Sequence, residues 1–536
     1  MAKRRRVSAT AAELDGTADH VARRLPVELW TELASWCTRS AVYRLCLSSK
    51  TFYFLFNPVL YKSLLTEHDS VCPALLRTLS SRRGRASLGP HPASLVRDLF
   101  LNTIHLTSTR PIETTLKNTS LVGDRSLGSR LRALTWDIRE VPPNVAQLLQ
   151  DPDAFPCLKE ISLRFAWRMF NAPPKSNMRI FLNPGLEKLT IEYKVCNGRG
   201  YDWSPLMHAI TDLPHACKLL HSLRLSFKSD VYSPTLDSTR LCCPGSFEQL
   251  LATIYALRLP LLQSLDLHVS HGPLPGAYPT ADPSPFIKAH PTLQRLQLCM
   301  ETKLADDLAL ALPHLRSFCG YERLCRNFLG PQSTLQELTV LRDDLGIATT
   351  PDLLFAPTPS LRNVHVFPRV KKMKQHLQKG LSPKDLEALA TSFPDLTSLD
   401  IPILPPLPKY ARELALFGRL RALTLRIHCA NLLKVDPCVY CGECHMREHV
   451  DNRQVQEIYP AHLLMDEMEA DLVLAMHDLT TLTARVTSDG ILAVQSIDEN
   501  EIAERDVEDS KVVYEFSVNT DGAGEKQIVL ERVNNE

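Results

Sequence analysis

The chain has 536 residues, of which 44% are apolar and 23% charged, and these values are ordinary for globular proteins. Its formal net charge of +1 gives no overall attraction to nucleic acid or acidic membranes, and no apolar run approaches the ~18 residues that a membrane span needs. The first residues, MAKRRRVSAT, lack a signal peptide's apolar stretch. The fifteen cysteines, an odd number, favour reduced thiols over a disulfide framework. We therefore expect a protein of the cytoplasm, the nucleus or both, without nucleic-acid or membrane partners.

Residues 1–22 are predicted to be a disordered, basic N-terminus because they are small and polar. The run from Lys3 to Arg6 fits a nuclear-import signal, but four basic residues at a terminus are also common by chance. The choice between nucleus and cytoplasm stays open.

Residues 23–65 are predicted to form three short helices. Proline suits the first position of a helix, so the first helix is expected to begin at Pro26, with Glu28 placing negative charge in its first turn. Leu29, Leu33 and Trp36 follow on one face. Asn57-Pro58 is expected to stop the third helix. About forty residues are too few to bury a stable core alone, so the apolar surface predicts a partner.

The same stretch resembles an F-box, on LPVEL from Leu25, SSK from Ser48, and the closing NPVLY. Two features depart from the F-box pattern. Ser48 stands where that family usually has an apolar residue, and residues 37–40 replace a proline-containing turn. The resemblance implies docking on the Skp-type adaptor of a cullin–RING ubiquitin ligase; the alternative is a helical cap on a repeat array. The adaptor-binding residues it implies are Leu25, Pro26, Glu28, Leu29, Leu33, Trp36, Leu45, Lys50, Phe52, Leu60 and Tyr61.

After an irregular linker over 66–92, residues 93–430 repeat the pattern L-x-x-L-x-L in twelve copies, from VRDLFL at Val96 to LRALTL at Leu420. The last two apolar residues of each copy are two apart, so both face one side of a strand. The segments between copies include a helix expected to begin after a capping serine, Ser382. Many intervals lie near the period of a leucine-rich repeat. We therefore predict an α/β fold in which three F-box helices precede an irregular leucine-rich-repeat solenoid of parallel strands plus helices.

Most copies lack the asparagine that this repeat family usually carries, and a proline-rich insert runs from Pro273 to Pro285. Such loose repeats resemble those of fungal-type F-box proteins with leucine-rich repeats. The resemblance leaves the curvature of the array undetermined.

The residue between the last two apolar positions of each copy should point away from the core and form a binding face. This row is mixed in charge and lacks a basic stripe, which favours a protein ligand over nucleic acid. Residues just beyond each strand, such as Phe165 and Tyr193, are expected to widen this face. The candidate substrate-binding residues are Arg224, Asp266, His268, Gln297, His365, Asp400 and Arg426.

Residues 431–536 are predicted to hold a Cys/His segment and a C-terminal cap. Cys438, Cys441 and Cys444 are spaced to bind one structural zinc ion together with His449 or His445. Reduced thiols on a repeat loop are the alternative. Residues Cys441 to His445 also match the CxxCH pattern of haem attachment. His445 to His449 match HxxEH, an inverted zinc-protease motif, and CGEC matches a redox pair. None of the three motifs has the surrounding sequence pattern that its chemistry needs. The tail alternates as two strands of a hairpin around residues 521–524, which could cap the last repeat.

Together these features predict a substrate-receptor subunit of a Skp–cullin–F-box type ubiquitin ligase. The F-box would bind the Skp-type adaptor, with the cullin complex as a further partner, and the repeats would bind a protein substrate. The chain itself would not be an enzyme and would have no catalytic residues, acting by proximity. The alternatives are a zinc-dependent enzyme centred on His445, Glu448 and His449, and a repeat scaffold without ubiquitin transfer.

Overall fold

The computed structural model divides the chain into two compact units, Met1–His290 and Pro291–Glu536, a division that the sequence did not predict. The described residues are 26–64, 76–79, 92–102, 110–119, 130–138, 143–166, 178–195, 203–229, 244–270, 282–300, 302, 304–305, 308–341, 357–367, 381–403, 407–428, 479, 481–488, 510–520 and 526–535. Several predictions fall outside them: Leu25, residues 1–22, most of the linker, most of the proline-rich insert and the Cys/His segment.

The first unit begins with the three predicted helices, α1 (Val27–Trp36), α2 (Arg39–Ser48) and α3 (Lys50–Lys62). Side chains cap two of them, because Thr38 Oγ1 accepts from Ala41 N at 3.3 Å and Ser49 Oγ from Phe52 N at 3.0 Å. Pro26 is the residue before α1 rather than its first residue.

The core of these helices consists of Ala34, Val42, Cys46, Phe52 and Phe56. The half-buried Trp30 packs edge-on against two of them, with ring centroids 5.2 Å from Phe52 and 5.9 Å from Phe56. The three helices therefore enclose a small aromatic core.

The expected stop at Asn57-Pro58 was wrong, because α3 continues through Pro58 to Lys62. A proline inside a helix removes one backbone hydrogen bond. Here Asn57 is buried just before it, and Val59 and Leu60 pack against the core just after it. The packing of this last turn offsets the lost hydrogen bond.

The rest of the first unit alternates strands and helices. Its strands are β1 (Ser63–Leu64), β2 (Asp98–Asn102), β3 (Ala133–Ile138), β4 (Glu160–Ala166), β5 (Lys188–Val195), β6 (Ser222–Ser229) and β7 (Ser264–Ser270). Each pairs in parallel with the next. The helices are α4 (Pro92–Leu95), α5 (Arg110–Thr119), α6 (Pro143–Gln150), α7 (Ser204–Ala216), α8 (Pro244–Tyr255) and α9 (Ser284–Lys288), with a 3₁₀ turn at Met178–Phe181.

The second unit continues the same alternation. Its strands are β8 (Arg295–Cys299), β9 (Ser317–Tyr321), β10 (Glu337–Leu341), β11 (Asn363–Phe367), β12 (Ser398–Ile403), β13 (Ala422–His428), β14 (Thr481–Ser488), β15 (Ser510–Thr520) and β16 (Lys526–Asn535). Pairing is parallel from β8 to β14. The helices are α10 (Leu308–Ala311), α11 (Glu322–Cys325), α12 (Pro383–Ser392) and α13 (Ala411–Leu414), with 3₁₀ turns at Arg326–Phe328 and Leu407–Tyr410.

Each of the twelve predicted copies forms a strand, and the apolar positions of the copies are buried. In the copy at Leu158, the exposed fractions of Leu158, Ile161 and Leu163 are 1%, 1% and 0%. Helix α12 begins as predicted, with a complete capping box between Ser382 and Asp385. The α/β fold with parallel strands and intervening helices is therefore confirmed.

The predicted C-terminal hairpin is also confirmed as a pair of antiparallel strands. β15 pairs with β14, and β16 pairs with β15. The parallel β14 adds a strand beyond residue 430, where LTTLTARV from Leu479 resembles one more degraded repeat.

One residue before each strand from β2 to β13, a backbone N–H or carbonyl group forms a hydrogen bond to the neighbouring repeat. Arg132 O, for example, accepts from Lys159 N at 2.8 Å and Glu160 N at 3.0 Å, and Arg362 O from Thr397 N at 2.8 Å. We call these residues the strand-start row. It comprises Arg97, Arg132, Lys159, Glu187, His221 and Gln263 in the first unit, and Gln294, Arg316, Gln336, Arg362, Thr397 and Arg421 in the second.

Candidate functional site

The first candidate surface is an exposed apolar stripe on α1, formed by Leu29, Leu33 and Trp36, which we call the α1 stripe. Their exposed fractions are 49%, 48% and 82%. Spacings of four and three place them on one side of the helix. The helical core does not include these residues, so they are available to a partner.

The other predicted adaptor-binding residues divide by burial. Pro26, Glu28 and Lys50 are exposed, and Leu45, Leu60 and Tyr61 are half-buried. Phe52 is 5% exposed and belongs to the helical core. It therefore packs beneath the exposed adaptor-binding residues rather than lying on the surface with them.

The second candidate surface is the strand face that the alternation predicted. The strand register aligns Phe100, Thr135, Ser162, Thr190, Arg224 and Asp266 in the first unit. It aligns Gln297, Cys319, Thr339, His365, Asp400 and Thr424 in the second, with Thr483 of β14 as a further member. The twelve predicted outward residues therefore form one aligned row in each unit.

In the first unit, two arginines and three carboxylates alternate across five strands. Arg164 Nε lies 3.9 Å from Asp137 Oδ1 and 3.5 Å from Glu192 Oε2. Arg224 Nε lies 3.4 Å from Glu192 Oε1 and 3.2 Å from Asp266 Oδ2. We call this series the ionic chain. It places Arg224 and Asp266 together as an ion pair, so a ligand would meet an alternating surface with a net charge of −1.

Asp137, at the β3 end of the ionic chain, is partly desolvated. Burial raises the pKa of Asp137 above its usual value more than the positive charge of Arg164 lowers it. Arg164 also lies 6.0 Å from the centre of the Phe100 ring. His268 lies two residues beyond Asp266, where the register pairs it with Ser226.

In the second unit the charged residues converge on Asp400. Its Oδ1 and Oδ2 accept from Arg426 Nε at 2.7 Å and Nη2 at 2.6 Å, a bidentate arrangement. His365 Nδ1 lies 3.6 Å from Asp400 Oδ2, and His365 Nε2 lies 3.9 Å from Glu337 Oε1. Three of the predicted residues are therefore brought together.

The environment of Asp400 favours its ionised form. Burial acts to raise its pKa, but hydrogen bonds and positive charge from His365 and Arg426 outweigh burial and hold the pKa below the usual value. Gln297 is not part of this cluster; its Nε2 lies 3.4 Å from Cys299 Sγ.

Phe165 and Tyr193 were wrongly expected on the strand face. They are 1% and 9% exposed and stack with their ring centroids 4.5 Å apart. Trp203 packs edge-on against Tyr193 at 5.4 Å. The physical reason is the two-residue alternation, which places both on the same side as the inward residues before them. The same alternation would have placed Asp137 on the outer face, a position that the sequence analysis missed.

The proposed zinc ligands Cys438, Cys441, Cys444 and His449 lie outside the described residues, as does His445. Among the residues that are described, no group of three or more His, Cys, Asp or Glu side chains is placed to hold a metal ion. Nor does any helix in the described ranges have both the length and the apolar character needed to cross a membrane.

No protein-family model and no curated protein sequence matches this chain.

Proposed function

We propose that this chain is the substrate-receptor subunit of a Skp–cullin–F-box type ubiquitin ligase. In this proposal α1 to α3 act as the F-box that binds the Skp-type adaptor, and the strand–helix repeats act as a leucine-rich-repeat array that binds a protein substrate. The chain performs no covalent chemistry and works by holding the substrate near its partners.

The α1 stripe is the observation that carries the proposal. Among the residues that the structure describes, seven of the eleven exposed large apolar side chains lie between Val27 and Phe54. Trp36, at 82% exposed, is of the residue type most enriched where partner proteins bind. Concentrated exposed apolar surface marks an interaction site, and the resemblance of these residues to an F-box supplies the partner.

The strand face supports the substrate half of the proposal. Its rows carry both signs of charge beside threonine, serine and aromatic side chains, a mixture suited to a protein segment. Arg224 and Asp266 in the first unit and His365, Asp400 and Arg426 in the second are the polar groups that would select the substrate.

The test of adaptor binding uses the double variant Pro26→Ala, Leu29→Ala, co-expressed with a Skp-type adaptor and a cullin. We expect co-purification to be lost, since removing a leucine buried in an interface costs about 2–5 kcal/mol. The matched control is Leu310→Ala with Leu416→Ala, two leucines exposed by 65% and 52%, which should bind normally. Adaptor binding retained by the folded Pro26/Leu29 variant would contradict the proposal.

The same preparations separate the substrate role from the adaptor role. Arg224→Glu should reduce the capture of substrate proteins while adaptor binding persists. Lys218→Glu makes the same charge change two residues after α7 ends. It should alter neither substrate capture nor adaptor binding. Substrate capture without adaptor or cullin would instead favour a repeat scaffold.

A further inference from the structure

The strand-start row of the first unit begins with a run of positive charges. Lys62, the last residue of α3, precedes β1 and extends the row by one position, because its carbonyl accepts from Arg97 N at 2.9 Å. Arg97 O in turn accepts from Arg132 N at 2.6 Å, and Arg132 O accepts from Lys159 N at 2.8 Å. All four residues are exposed. We call Lys62, Arg97, Arg132 and Lys159 the basic row.

Backbone pairing fixes the spacing of the basic row. The residues that follow its members are aligned in the sheet: Ser63, Asp98, Ala133 and Glu160. Neighbouring strands lie about 4.8 Å apart, so the four positions span about 14 Å. The hydrogen-bonded ladder holds their backbone in place, and only the side chains need to be ordered when a partner binds.

One end of the basic row is neutralised, because Lys159 Nζ lies 2.5 Å from Glu187 Oε1. The hydrogen bond from Lys159 lowers the pKa of Glu187, and the positive charge of Arg132 acts in the same direction from beyond ion-pair distance. Within the part of the chain that the structure describes, the side chains of Lys62, Arg97 and Arg132 have no ion-pair partner. Three neighbouring positive charges are therefore left uncompensated there.

This arrangement is unfavourable for the fold by itself, because like charges on neighbouring strands repel each other. Other surfaces of the protein avoid the repulsion. The ionic chain alternates its charges, and in the strand-start row of the second unit Arg316 lies between Gln294 and Gln336. A row of uncompensated positive charge is suited to a negatively charged partner.

The composition of the basic row selects the class of partner. It contains both Lys and Arg, so its shared property is charge and not the forked geometry with which arginine binds phosphate. Salt-sensitive binding to duplex DNA involves about 6–10 phosphate contacts, and binding to single strands also uses aromatic side chains for stacking. The basic row has neither that many charges nor an aromatic residue. We propose that it binds an acidic segment of a partner protein, rich in Asp and Glu, at a surface additional to the α1 stripe and the strand face.

The first experiment measures binding of a fluorescent peptide of about eight glutamates to the purified full chain by fluorescence anisotropy. Such a peptide reaches about 27 Å when extended, enough to cover the row. Wild-type protein should bind it saturably, and more weakly as the ionic strength is raised to about 0.15 M, where charges are screened beyond about 8 Å. A glutamine peptide of the same length should not bind. The assay contains neither adaptor nor cullin, so its result is independent of the proposed ligase role.

A charge series at Arg97 and Arg132 tests the site itself. Arg97→Lys with Arg132→Lys keeps both charges and should bind like wild type. Arg97→Gln with Arg132→Gln should bind more weakly, and Arg97→Glu with Arg132→Glu should weaken binding roughly tenfold or more because two attractions become repulsions. Unchanged thermal unfolding shows that the variants remain folded. An affinity that does not fall along this series would overturn the site.

The matched control is Arg295→Glu with Arg316→Glu, which makes the same change in net charge at two exposed arginines of the second unit. It should leave peptide binding unchanged. Equal loss in this variant and in the Arg97/Arg132 double glutamate variant would indicate attraction to overall charge and would contradict a localised site.

A second arm separates an acidic protein segment from nucleic acid. At about 0.15 M salt, unlabelled glutamate peptide should displace the fluorescent peptide more effectively than an oligouridylate of the same net charge. Stronger competition by the RNA would assign the row to nucleic acid instead. If the glutamate peptide does not bind even at low ionic strength, the proposal is wrong.

Discussion

At the scale of single residues, Asp400 shows how a polar side chain is tolerated near the core. It is 8% exposed, a position where an isolated charge would be costly. Arg426 satisfies both of its oxygens, and His365 lies beside one of them. The carboxylate is therefore part of the structure as well as a candidate contact for a ligand.

Asp400 is predicted to stabilise the fold in a pH-dependent way. Its folded pKa is lowered, so its contribution is present above the unfolded value of about 3.9 and is lost as the pH falls through the folded pKa. Asp400→Asn should lower the free energy of unfolding by about 1–3 kcal/mol at pH 7. The measurement is urea unfolding of both proteins at pH 7 and at stepwise lower pH.

The difference between variant and wild type should shrink as the solution is acidified below about pH 4, because the wild-type carboxylate then becomes protonated. Glu337→Gln is the control, since Glu337 is 44% exposed and 3.9 Å from His365 and should change stability by less than about 0.5 kcal/mol. A difference that stays constant with pH would show that the charge of Asp400 does not stabilise the fold.

At the scale of one element, β9 shows how a repeat keeps its register without the usual third apolar side chain. Gly320 stands there in place of leucine, and Cys319 still aligns with Gln297 and Thr339. The Phe318 ring takes the vacant space, because a Cβ on Gly320 would lie 2.8 Å from Phe318 Cζ and 3.1 Å from Leu298 O. Phe318 is fully buried and packs against Phe328 at 4.2 Å.

Gly320→Ala is therefore predicted to destabilise the second unit, although it brings the sequence closer to the repeat pattern. The added methyl forces Phe318 from its place, and such overpacking costs about 1–3 kcal/mol. Thermal and urea unfolding measure the change. Gly418→Ala is the matched control, because its Cβ would meet nothing within 4 Å. Equal stability of the two variants would contradict this account of Phe318.

At the scale of the whole molecule, each unit is a set of strands paired in the order of the sequence. A sheet of this kind leaves an edge whose backbone groups can pair with another chain. In the second unit β14 is followed by the antiparallel β15 and β16, so the last repeat is covered by strands of its own chain.

Removing residues 510–535 is predicted to make the protein self-associate, because β14 would then present unpaired backbone groups. Sedimentation velocity over a range of concentrations measures this. The full chain and the Gly418→Ala variant should keep their sedimentation coefficients under the same conditions. A truncated protein that remains folded by circular dichroism and does not self-associate would show that the hairpin is not a protective cap.

The sequence alone predicted the parts of this protein that depend on local periodicity. The three N-terminal helices, the twelve strands, the outward row and the terminal hairpin follow from spacings of two, three and four residues, which decide the face of a strand or helix. It also predicted the start of α12, because the capping box between Ser382 and Asp385 is complete within four residues.

Only the tertiary structure decided which side chains meet. The α3 boundary depended on how residues after Pro58 pack, and the ionic chain joins carboxylates and arginines from five different strands. The physical reason is that loop lengths between repeats vary, so the register that brings distant residues together is set by backbone pairing and core packing rather than by any spacing along the chain.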